Sequence, residues 1–245
     1  MPALAIGLAM LMVMAATAWA GSPLVDEFQA FSTRYHENPK KIDQLKAALE
    51  KAADNDPDPD TLLALAQVCF MYGDVRATTE EAKLAAFDCG RRAAKRAIEL
   101  APKSAPAQFW YGTNTGRWGE IKGIMRSLYL LPTVKEAMQT ALALDPGYAP
   151  AYALGGNIYY EVPGYAGGDL DRSEAMFRKG LELDPRYTNM RLGLARTLLK
   201  KGRTADARRE LEAVLGEKAP SNPADWVIKD VPKAKAILAE ITGRS

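Results

Sequence analysis

Histidine is almost missing from this chain: His36 is the only one among 245 residues. A serine or cysteine nucleophile needs a base within hydrogen-bond reach, and His36 lies far in sequence from both cysteines. The scarcity argues against triad chemistry. Without a second cysteine pair it also argues against a structural zinc site. Cysteine is nearly as rare, with Cys69 and Cys89 alone. Neither sign of charge dominates, since 32 Lys and Arg face 30 Asp and Glu for a formal net charge of +2. A nucleic-acid binder would carry a concentrated basic face, so nucleic acid is not an expected partner. β-branched residues are sparse, and no segment sustains an apolar/polar alternation, which speaks against sheet. Beyond residue 20 no apolar run is long enough to span a bilayer.

What is present points the other way. Apolar residues make up 48% of the chain, enough to build a core. Ala, Leu, Lys, Arg and Glu dominate, so an all-α fold is expected. Acidic side chains such as Asp43, Glu50, Glu174, Glu182 and Glu210 fall on polar helix faces, where solvation accounts for them. The chain reads as non-enzymatic, with no catalytic residue, metal or cofactor expected.

The first twenty residues stand apart. Residues 2–20 carry no charged side chain, and an apolar run ends in Ala18-Trp19-Ala20, the small-residue pattern that signal peptidase accepts. Cleavage is expected between Ala20 and Gly21, leaving an exported, periplasmic protein. No Lys or Arg follows Met1, and retention as a membrane anchor is the competing reading. In an oxidising compartment Cys69 and Cys89 are either bridged or remain two buried thiols; a bridge needs Cα atoms about 4.4–6.8 Å apart.

The main signal is an internal repeat. Helix endings run into Pro102, Pro146, Pro185 and, more loosely, Pro220. Proline cannot continue a helix interior and biases its predecessor away from the α region, so each marks a stop. An amphipathic helix follows each of the first three (about 105–118, 149–161 and 189–201), then a second helix (about 132–144, 171–183 and 204–215). Helix, turn, helix, proline is the tetratricopeptide unit of about 34 residues. Large–small pairs recur at one place in successive units: Leu65-Ala66, Tyr111-Gly112, Leu154-Gly155 and Leu194-Ala195. The small member lets two helices approach until ridges enter grooves. In the last unit Gly202 makes the turn, Ala207 the close contact and Leu211 the bulky seal. The domain reading is one tetratricopeptide α-solenoid over residues 21–245. Its units cover about 24–58, 60–102, 105–146, 149–185 and 189–220, and a helix at 232–241 caps the last apolar face.

Two units exceed that length clearly, with extra residues at 119–131 and 162–169, and a smaller excess lies at 74–79. All three fall between the helices of a pair and should emerge on one rim, either as a binding side or as loop drift. In the second insert Gly167-Gly168-Asp169 suits a tight turn whose carboxylate caps the next helix; it lacks the spacing and the Lys of a phosphate loop. Residues 110–119 set Trp110 and Trp118 around Asn114 with Gly112, Gly116 and Gly119. Glycine costs about 1 kcal/mol against Ala inside a helix, so these mark close approach of a backbone or a ligand, or core packing of the aromatics.

The segment from Trp110 to Trp118, Lys122-Gly123-Ile124, Ser127-Leu128, the Ala-Leu-Ala-Leu-Asp-Pro ending at Pro146, Pro163-Gly164 and Gly167-Gly168-Asp169 resemble the T component (TatT) of TRAP transporters. The resemblance covers about residues 60–241. It implies a periplasmic, oligomeric (in the family trimeric) helical protein that docks a solute-binding protein and holds a small hydrophobic or carboxylate ligand. Lipoprotein members carry a Cys at the cleavage site, where this chain has Ala20-Gly21, so lipid tethering is not expected.

In such a superhelix the first helix of each unit lines the groove. Projection gives Gln67, Phe70, Met71, Phe109, Thr113, Arg117, Tyr152, Tyr159, Tyr160, Arg196 and Lys200, joined by Trp110, Asn114 and Trp118. Aromatics with a few cations suit an extended peptide or an amphipathic carboxylate; the same aromatics also suit packing between units. Transport adaptor and general envelope scaffold are the two main functional readings, and a carrier of fatty acids or similar lipids is a third.

Overall fold

The computed structural model describes residues 22–243; the predicted signal segment lies outside them. Among the described residues there is no strand. A first pair, α1 (Pro23–Ser32) and α2 (Lys41–Asn55), is followed by four helical hairpins. They are α3 (Pro59–Met71) with α4 (Glu80–Leu100), α5 (Ala105–Ile121) with α6 (Ile124–Leu144), α7 (Ala149–Glu161) with α8 (Leu170–Leu183), and α9 (Thr188–Lys200) with α10 (Thr204–Gly216). A short α11 (Pro223–Asp225) continues through a π-helical turn, Trp226–Asp230, into α12 (Val231–Gly243). The chain is an all-helical tetratricopeptide solenoid.

Local chemistry sets the boundaries. Asp58 caps α3 by accepting from the Asp60 and Thr61 amides, Thr79 caps α4, Ser104 caps α5, and Asp169 caps α8 through the Asp171 and Arg172 amides. Each oxygen satisfies amides that the first helical turn leaves unpaired. The Gly-Gly-Asp insert therefore ends in a helix cap. Proline enters α3, α5 and α7 in the first turn, where its missing N–H costs nothing.

Small residues bring the helices together. A Cβ on Gly112 would lie 3.1 Å from the Ala137 Cβ, and one on Gly155 would lie 2.9 Å from the Met176 Cε. Phe177, fully buried, is received by Gly156 of its own unit and by Gly193 of the next. Ala207 and Leu211 are likewise fully buried. On the last repeat Ile237, Leu238 and Ile241 of α12 pack against the cluster that contains Leu211 and Val214. This is the cover that a terminal repeat requires.

One insert differs from its expected form. Residues 119–131 make no loop; α5 runs to Ile121 and α6 starts at Ile124, with Pro132 inside it. Gly123 makes the turn at φ 96°, a conformation that a side chain would strain. Leu130 then packs on Gly119, and Leu131 joins the cluster around Val134 and Met138. That burial keeps two turns helical ahead of an exposed proline which, read alone, signals a start.

Candidate functional site

The first helices carry an aromatic row. Phe87 of α4 meets Phe70 at 5.7 Å between ring centroids, Phe70 meets Trp110 at 5.4 Å, Trp110 meets Phe109 at 5.0 Å, and Phe109 meets Tyr148 at 5.6 Å. The last three contacts are edge-on, the arrangement ring quadrupoles favour. Met71, Phe109 and Tyr159 are buried, so they pack between helices. Tyr152, half-buried, donates from its hydroxyl to the Pro146 carbonyl and lies with its Cβ against Gly180. Gln67 and Thr113 are half-buried.

Asn114 is fully buried. Its amide donates to the Ala66 carbonyl at 3.2 Å and the Trp110 carbonyl at 2.9 Å, and a Cβ on Gly90 would overlap its Oδ1. The side chain ties α3, α4 and α5 together and does not reach the groove. Trp118 lies away from it too, with the cations of Arg91, Lys122 and Arg126 at 5.2, 5.7 and 5.9 Å from its ring.

At the far end, Tyr160, Arg196 and Lys200 do come together. The Lys200 ammonium stands 3.7 Å and the Arg196 guanidinium 4.4 Å from the Tyr160 ring centroid. Arg196 also pairs with Glu161 at 2.7 Å, and Lys200 donates to the Tyr160 carbonyl. Two cations thus stand over one half-buried ring, Arg196 paired with Glu161 and Lys200 exposed.

Sequence reasoning missed a segment that joins the two ends of the array. Residues 222–230, which lie between the last unit and the capping helix, reach the opposite end of the array. The Ala224 amide donates to the Thr33 carbonyl, and the Tyr35 hydroxyl donates to Asp225. Lys229 pairs with Asp74 at 2.5 Å and Asp225 at 2.7 Å. Arg117 reaches the same Asp74 at 3.1 Å and Glu120 at 2.6 Å. Asp230, itself buried, accepts from Thr188 at 2.7 Å, and Trp226 donates to the Val214 carbonyl at 2.7 Å. The first helix pair and the last repeat thus share one strap. Burial lowers the Lys229 pKa, but Asp225 and Asp74 outweigh it and raise it overall. Burial pushes Asp74 up, and Lys229 and Arg117 outweigh that and hold it below the usual carboxylate range. Both groups are charged at neutral pH.

Cys69 on α3 and Cys89 on α4 are joined, with Cα atoms 6.1 Å apart. Glu50 of α2 lies beside the pair and is held by Lys46 at 2.6 Å. Among the described residues no helix is long and apolar enough to cross a membrane.

This architecture places the chain among tetratricopeptide-repeat proteins, a protein-interaction fold, and residues 165–225 match the tetratricopeptide repeat family. Residues 24–165, more than half of the chain, match the family described as regulator of microtubule dynamics protein 1-3, and the chain belongs to that family. No curated protein matches it. Among solved structures, TTC0263, a thermophilic tetratricopeptide protein of Thermus thermophilus, is 20% identical with a TM-score of 0.64. The match covers 87% of this chain and 99% of that one. PilF of Pseudomonas aeruginosa is 16% identical with a TM-score of 0.53, over 89% of this chain and 90% of its own. At such identities the likeness is one of fold.

Proposed function

We propose that the protein is an exported, non-catalytic scaffold that holds a short segment of a protein partner along the wall formed by its first helices. The observation that carries this reading is the chain's own strap. Residues 222–230 are held to Thr33, Asp74 and Val214 by backbone, ionic and indole contacts of the kind a partner peptide would make. Beyond the strap, the exposed Lys200 over the half-buried Tyr160, next to an Arg196 paired with Glu161, suits a carboxylate on such a segment.

The transport reading, an auxiliary TRAP component docking a solute-binding protein, rests on the resemblance between Trp110 and Asp169. Nearly all of those residues fall inside the stretch that matches the microtubule-dynamics family, so the resemblance does not select a transport system. The family description favours a second reading in which the partner is a cytoskeletal polymer. The fate of residues 2–20 separates the two, because an exported chain does not meet that polymer. Mass spectrometry of the protein from its own cell envelope reads this directly. A product beginning at Gly21 supports export, whereas an uncleaved cytosolic chain removes it.

The groove itself is tested with a labelled peptide spanning residues 221–231, added to a Lys229→Glu chain whose own strap is repelled by Asp74. Saturable micromolar binding is expected, weakened when Asp74 is also replaced by Ala. Absence of binding to the Lys229→Glu chain overturns the peptide-receptive wall.

A further inference from the structure

The insert at 119–131 leaves a surface that neither the strap nor the groove uses. With 17 residues in α5 against 13 in α7, and 21 in α6 against 14 in α8, this hairpin is longer than the one that follows it by roughly 6 and 10 Å at 1.5 Å per residue, while α4 of the preceding hairpin equals α6 at 21 residues. Further along α6 the solvent side carries Glu136, Gln139 and Ala143, with Leu144 at its end 37% exposed. In its first two turns that side is apolar: Ile124 is 64% exposed, Met125 78% and Tyr129 74%. A helix face of this composition, placed in water at a projecting tip, is the mark of a contact surface.

The charges around it are of one sign. Between Ile121 and Lys135 the chain has Lys122, Arg126 and Lys135 and no acidic residue. Lys122 and Arg126 flank the Trp118 ring, and Arg126 also stands 5.5 Å from the Tyr129 ring. Acids bound this stretch on both sides: Glu120 is engaged by Arg117, and Glu136 is exposed about two turns past Tyr129. An apolar tip collared by cations and an indole is complementary to a surface that offers anionic headgroups over hydrocarbon. A protein partner, a second copy included, would have to supply a matching acidic rim around an apolar socket.

We propose that the α5–α6 tip docks on an anionic lipid bilayer, with Ile124, Met125 and Tyr129 entering the interface and Lys122 and Arg126 meeting the headgroups. No described helix spans; the solenoid lies against the surface by this one rim.

The test is co-sedimentation of the full chain with vesicles of phosphatidylcholine alone and with added phosphatidylserine. Every sample has the same N-terminus, so the difference between variants is what counts. Each cation near an anionic leaflet strengthens binding about fivefold, so Lys122→Glu with Arg126→Glu should weaken binding to the phosphatidylserine vesicles at least about 25-fold. Binding to neutral vesicles should not change. Ile124→Ser with Met125→Ser should weaken binding to both, and its melting temperature should match the parent because both side chains are exposed. Equal binding of parent and both variants overturns the proposal. So does self-association, seen by ultracentrifugation without vesicles and lost in the same variants when vesicle binding is absent.

Discussion

Lys229 Nζ lies 2.5 Å from the Asp74 carboxylate, so a side chain of the last connector is bonded to the turn that follows α3. Arg117 and Asp225 complete the cluster. It is the polar centre of the contact between the two ends of the array.

Lys229→Ala should therefore loosen the strap. A hydrogen bond to a charged group contributes about 1.5–3 kcal/mol, and Asp74 keeps Arg117 when Lys229 is gone, so the lower part of that range is expected. Urea unfolding gives the energy, and small-angle scattering should show a larger radius of gyration. An unchanged radius with an unchanged midpoint would remove the strap from the account.

Acid should act on a second cluster. Burial raises the Glu174 pKa, but hydrogen bonds from Lys201, Arg178 and Arg203 outweigh it and bring it to about 2 from 4.5. A carboxylate depressed in the folded state stabilises fully above its unfolded value, and that contribution is lost as pH falls toward the folded one. Thermal melting should decline from about pH 4.5 toward about pH 2. Glu174→Gln should start lower at neutral pH and decline less over that interval.

Gly193→Ala sets two effects against each other. Alanine gains about 1 kcal/mol of helix propensity, but its Cβ would overlap the Phe177 ring at Cζ. Phe177 is already enclosed by Gly156 and has no room to retreat. Overpacking costs about 1–3 kcal/mol, so net destabilisation is expected in chemical denaturation. Gly216→Ala, where a Cβ meets nothing within 4 Å, should be neutral or mildly stabilising.

Reducing the Cys69–Cys89 bond should weaken the fold without dismantling it. The bond closes a loop with a sequence separation of 20, which the chain-entropy model values at about 3 kcal/mol. Paired urea titrations with and without reductant measure the difference. Equal midpoints would mean that packing of α3 on α4 already supplies the constraint.

The repeat was legible because its signals are local: Pro102, Pro146 and Pro185 end helices, and Ala207 and Leu211 are spaced to meet a neighbour. Asp169 was read as a cap for the same reason. The α5–α6 tip was not, since Pro132 signals a helix start and only the burial of Leu130 and Leu131 shows otherwise. The groove was legible in part. Tyr160, Arg196 and Lys200 do meet across α7 and α9, whereas Asn114 turns inward because Gly90 leaves it space. The strap was hidden altogether. Thr33, Tyr35 and Asp74 are brought to residues 224–229 by the curvature of the whole array, and no window of sequence contains that curvature.

Stacked repeats contact only their neighbours, and such arrays fray from their outermost members. Here residues 222–230 grip both outermost members at once. The molecule is closer to a hoop than to a stack, and a hoop offers no loose end from which to unravel.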